Sequence, residues 1–123
     1  MKIIFVGIHN KPGKIPLCSS TPTGKIIKQI TEKIKTKKIV KTNLYDVDYL
    51  PVQEIEKGEL ANEWLDRVNI DTNDVIVLLG KEVQEYFPLK NGNIINIPHP
   101  SSLHGKEAIA QYIKNSVKKI NEA

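Results

Sequence analysis

The chain has 123 residues, 40% of them hydrophobic and 26% charged, with a formal net charge of +4; these are the proportions of one globular domain able to bury a sizeable core. A single cysteine, Cys18, excludes an internal disulfide and any multi-cysteine metal site, which fits a reducing cytoplasm. No apolar run approaches the ~20 residues of a membrane span, and Met1-Lys2 leads straight into Ile3-Ile4-Phe5-Val6, too short for the apolar region of a signal peptide.

In chain order, Lys2 to Val6 reads as a strand ended by Gly7. It is apolar without alternation, as suits a strand covered on both faces. Residues 8 to 22 are rich in Pro, Gly and Ser and form a loop at the strand's carboxyl end, where open α/β sheets bind ligands. Thr21-Pro22 then reads as an N-cap followed by proline at the first helical position. Ile26, Ile27, Ile30 and Ile34 mark the inner face of a helix running to about residue 35. Gly24 weakens its first turn by roughly 1 kcal/mol relative to alanine.

Residues 25 to 41 carry seven lysines against Glu32. Such a cluster can neutralise phosphates in salt-dependent nucleic-acid binding, or it can be the solvated face of one helix and its exit. Residues 46 to 74 reverse the balance, with nine acids against Lys57 and Arg67.

Residues 38–43 (KIVKTN) read as the second strand and 45–58 as an acidic, irregular segment. A short helix follows over 59–68, with Leu60, Trp64 and Val68 facing inward. Asp74 to Gly80 (DVIVLLG) is the clearest strand, at the centre of the sheet. A helix over 81–87, an Asn91-Gly92 turn, a strand over 93–97 and a helix over about 105–121 complete the chain; Ile109, Tyr112, Ile113, Val117 and Ile120 mark the last helix's inner face. Strands alternating with helices predict right-handed crossovers. The fold class is therefore α/β, a three-layer α/β/α sandwich around a mostly parallel four-stranded sheet, with residues 1–123 as a single domain. Loops 8–22, 43–56 and 98–104 should converge at one edge of it.

Pro98 and Pro100 flank His99 just after the last strand. Neither proline can donate to a ladder, so the chain leaves the sheet there as a stiff loop that presents the histidine. An imidazole titrates closest to neutrality among side chains and can donate a hydrogen bond where charge develops. A strand-to-helix turn with an incidental histidine has the same local pattern.

Three motifs in this order resemble the uracil-DNA glycosylase superfamily. Gly7-Ile8-His9-Asn10-Lys11-Pro12-Gly13 is similar to its first motif, a glycine, a polar residue and Pro-Gly; Thr42-Asn43-Leu44 to the internal strand end whose asparagine reads the base; and His99-Pro100-Ser101-Ser102-Leu103 to its second motif, HPS followed by leucine. Weaker likeness covers Thr23 to Ile27 and Val75 to Gly80.

The resemblance implies a DNA glycosylase acting on uracil or a related damaged base, a monomer in the cytoplasm with DNA as its partner and with neither cofactor nor metal. It implies catalytic roles for His99, as donor to the departing base, and for Asn10, with His9 second, as holder of the attacking water. Asn43, Gly7 and Ile8 would bind the base. Ser101, Ser102 and Lys25 would contact DNA, and Leu103 would fill the gap left by a flipped nucleotide. The first motif carries extra residues between Gly7 and Pro12, and Leu17 to Thr21 contains no aromatic residue to stack on a base. The alternative is a nonenzymatic module of the same fold that binds nucleic acid or a free base.

Overall fold

The computed structural model describes residues 2–8, 21–34, 38–45, 54–89, 92–100 and 103–122. Strands β1 (Ile3–Gly7), β2 (Ile39–Asn43), β3 (Val75–Leu79) and β4 (Asn93–Ile97) alternate with helices α1 (Pro22–Lys33), α2 (Glu54–Arg67), α3 (Lys81–Tyr86) and α4 (Lys106–Asn121). The strands form one sheet in the order β2-β1-β3-β4, and every pairing in it is parallel. The sheet is thus wholly rather than mostly parallel, and β3 shares its centre with β1.

Alternation along each strand sends successive side chains to opposite faces, which separates two cores. Ile3, Phe5, Val75, Val77, Leu79 and Ile97 pack on one face against Ile26, Ile27, Ile30 and Ile34 from the α1 segment and Tyr112, Ile113 and Ile120 of α4. Ile4, Val6, Ile76 and Leu78 pack on the other against Ala61 and Trp64 of α2, Val83 of α3, and Phe87. The three-layer sandwich is therefore present. β1 to β2 steps one way across the sheet and β2 to β3 to β4 the other, so crossovers of one hand place α1 opposite α2 and α3.

Local signals set the ends of α1. Thr21 caps the helix, its Oγ1 accepting from the Gly24 N–H at 3.0 Å, and Pro22 stands in the first turn. On the opposite face Trp64, fully buried, meets Phe87 edge-on at 5.0 Å between centroids. Its Nε1 donates to Thr42 Oγ1 at 3.1 Å, and the Thr42 hydroxyl donates to the Phe5 carbonyl at 3.0 Å. This chain satisfies the polar atoms brought inside with β2.

The largest boundary difference from the sequence reading is in α2. Helix α2 begins at Glu54, inside the segment expected to be irregular. The roughly 1 kcal/mol cost of Gly58 within the helix is offset downstream, where Ala61 and Trp64 are buried.

At the amino edge of the sheet, Asp74 is 3% exposed and ties β3 to β1. Its carboxylate accepts from the Lys2 backbone N–H at 2.9 Å, from the Lys2 ammonium, and from the Asp71 N–H at 2.8 Å. Burial pushes this carboxyl up, but the Lys2 and backbone hydrogen bonds outweigh it and lower its pKa to about 2. The folded state therefore holds this proton more weakly than the unfolded chain. The stability it contributes is complete above the ordinary value of 3.8 and is lost as pH falls from there toward about 2. Asp74→Asn should cost about 1–3 kcal/mol at neutral pH and flatten the acid limb of stability against pH, as measured by urea unfolding.

Candidate functional site

In an all-parallel sheet every strand ends at the same edge. Here Gly7 aligns with Asn43, and Leu79 with Ile97. β1 and β3 are neighbours whose following helices depart to opposite faces, which makes their carboxyl ends the switch point where such sheets bind ligands.

His99 comes from β4 to the carboxyl end of β3. The Gly80 N–H donates to the Ile97 carbonyl at 2.9 Å, carrying the β3–β4 pairing one step past the strands. The chain then brings His99 against Gly80, so that a Cβ on Gly80 would stand 3.0 Å from the His99 Cβ and 3.7 Å from its backbone nitrogen. Gly80 also has φ +93°, a conformation favouring glycine. Two independent constraints thus favour a residue without a side chain against the Cβ and backbone of His99. The sequence reading has His99 presented by a stiff loop; it is instead half-buried, because this glycine lets it lie down on the end of β3. Burial lowers its pKa below the ordinary 6.5, so the imidazole is neutral at pH 7 and can donate without carrying a net charge.

The loop is also held from the α4 layer. The Tyr112 hydroxyl donates to the Pro98 carbonyl at 2.6 Å, and burial raises the pKa of this hydroxyl.

Asn43 closes β2 on the other side of β1 and is 4% exposed. Alternation from Ile39 places it on the α1–α4 face of the sheet. Arg67 Nη2 from α2 lies 3.1 Å from both the Asn43 and the Leu44 carbonyl and donates to them, fixing the backbone that carries this asparagine. The β1–β2 pairing continues outward, with the Leu44 N–H donating to the Gly7 carbonyl at 2.8 Å and the Tyr45 N–H to the Ile8 carbonyl at 3.0 Å. The carbonyls of Gly7 and Ile8 are thereby engaged, and the Ile8 side chain packs on the α2–α3 core.

Of the remaining site residues, Lys25 is exposed in the first turn of α1. Leu103 packs against the α1–α4 core, which commits its side chain to packing rather than leaving it free to enter a stack of bases. His104 is exposed. His9, Asn10, Cys18, Ser101 and Ser102, with most of loops 8–22 and 43–56, lie outside the described residues. The structure thus brings His99, Gly7 and Asn43 to one edge.

Gly80, Tyr112 and Arg67 are the supporting residues the sequence reading did not place there. The available signal for Tyr112 was its hydroxyl, a polar group on an apolar helical stripe that must find a partner once buried. Among the described residues no group of three or more His, Cys, Asp or Glu side chains could hold a metal ion. A groove of about 480 Å³ lies elsewhere, along Gly92 to Asn96 with Lys119 and Glu122. It begins at the amino end of β4, whereas His99 follows the carboxyl end.

Comparison with protein-family models, curated proteins and solved structures finds no match. No helix among the described residues is long and apolar enough to cross a membrane.

Gly80→Ala should cost about 1–3 kcal/mol from backbone strain and push His99 off the end of β3. Thermal unfolding together with the shift of the His99 imidazole resonances checks both effects. A variant with wild-type values of each would remove Gly80 from the site.

Proposed function

We propose that this chain is a DNA glycosylase hydrolysing the N-glycosidic bond of uracil, or of a related damaged base, after the nucleotide has left the base stack. The observation that carries the reading is the half-buried His99 seated against Gly80 at the carboxyl end of β3. It heads the HPS-type motif and shares its edge with Gly7 and Asn43, the described parts of the two other motifs.

The chemistry asks for such groups. The C1′–N1 bond breaks with its electron pair passing to the base, a water oxygen bonds to C1′, and that water's proton passes to solvent or to the departing base. Negative charge develops on the base carbonyl, where a preorganised neutral donor is most effective. His99 supplies that donor. An amide can pair with the edge of uracil and leaves cytosine with mismatched donors and acceptors, which is the role proposed for Asn43. Asn10, or His9, holds the water. Lys25, Ser101 and Ser102 contact the phosphates, and Leu103 would have to leave its packing to act as the wedge. The setting is cytoplasmic, with a monomer acting without metal or cofactor.

The second reading, a nucleic-acid or base-binding module without turnover, is favoured by the absence of an aromatic residue between Leu17 and Thr21. Incubation with single- and double-stranded uracil-containing oligonucleotides followed by alkali separates the two. Strand breaks at uracil support the glycosylase, and tight, salt-dependent binding with no break supports the module. His99→Ala should lower the rate of base release roughly 100-fold while the protein stays folded. Because the neutral imidazole is the working form, activity should be flat through pH 7 and fall at a pH below 6.5, the ordinary histidine value that burial lowers here.

A further inference from the structure

The backbone between the sheet and His99 has few ways to move. Ile97 is held in the sheet by its pairing with Leu79 and by the Gly80 N–H. The ring of Pro98 locks its φ, and the Pro98–His99 peptide is planar. His99 precedes Pro100, which confines it to extended conformations. Of the rotations left, ψ of Pro98 determines both where the Pro98 carbonyl points and where the next residue goes. That carbonyl accepts the Tyr112 hydroxyl at 2.6 Å. Tyr112 is itself 7% exposed in the core under α4, with Ser116, 2% exposed, one turn further along the same helix. The loop is thereby clamped between α4 and Gly80, whose backbone meets the other side of His99.

We propose that Tyr112 is the positioning residue for His99: by holding the Pro98 carbonyl it sets the Pro98 ψ rotation that brings His99 onto the end of β3. It touches no substrate. This role deepens the glycosylase reading and rests on it for its catalytic consequence, while its structural content can be read on His99 without any reaction.

The test is Tyr112→Phe, which keeps the ring and the packing and removes only the hydroxyl. Base release from a uracil-containing oligonucleotide should show kcat reduced about 10- to 100-fold, the scale set by small misplacements of a reacting group, with KM little changed. In the same variant, NMR titration of the His99 imidazole should move toward the ordinary histidine midpoint as the loosened ring gains solvent. A variant that melts lower but keeps the wild-type kcat and His99 titration overturns the proposal, since hydroxyl loss would then affect stability alone. If the wild-type protein releases no base, the glycosylase reading fails and the titration alone decides. A shifted midpoint in Tyr112→Phe upholds the clamp, and an unshifted one overturns it. Should Tyr112→Phe fail to fold, Tyr112→Met, which also removes the hydroxyl while keeping a large apolar side chain, should shift the titration the same way; no shift overturns the proposal.

Discussion

The structure depends on burying one sheet on both faces at once. All five residues of β1 and all five of β3 are buried, and neither strand has a polar side chain to offer water. Two helical layers are then obligatory, one over each face. Parallel strands in turn need a helical crossover for each return. These requirements together bring the four carboxyl ends to one edge and the helix N-termini to the same edge. The candidate site lies there because the architecture leaves backbone ends, loops and helix dipoles facing one direction.

Within that edge, stiffness comes from few groups. Pro98 and Pro100 remove rotations, Gly80 supplies a conformation and a space that other residues cannot, and Tyr112 and Arg67 reach from different layers to carbonyls beside His99 and Asn43. Each hydrogen bond is worth only about 1 kcal/mol net. Their importance is geometric, since a donor aimed at developing charge works only when its direction is set beforehand. The burial that neutralises His99 also belongs to this arrangement, because an imidazole on an exposed loop would keep its ordinary pKa.

The helical layers differ in charge as well as position. Lys25, Lys28 and Lys33 of α1 and Lys106, Lys114, Lys118 and Lys119 of α4 are exposed on one layer, interrupted by Glu32 and Glu107. Glu59, Glu63, Asp66 and Glu85 are exposed on the other, while Lys57 is drawn into an ion pair with Glu82 at 2.8 Å. The lysines of α4, some 80 residues from those of α1 in sequence, join them because α1 and α4 share a core.

Much of the fold was legible because it is written in near neighbours. Unbroken apolar runs marked β1 and β3, isoleucines at helical spacing marked α1, Thr21-Pro22 marked its start, and the two prolines marked the exit from β4. The start of α2 was not, since a glycine and many acids mask a helix that is stabilised by residues further along and by its packing on the sheet. For the site, the amino acids alone determined that a histidine leaves the last strand on a stiff loop and that an asparagine ends the second. Tertiary structure decided the rest: the order β2-β1-β3-β4, the seat of His99 on Gly80, the reach of Tyr112 to Pro98, and the packing of Leu103 against the α1–α4 core. Those contacts join segments from different layers, and a periodicity records which face of an element is apolar but not which distant residue will cover it.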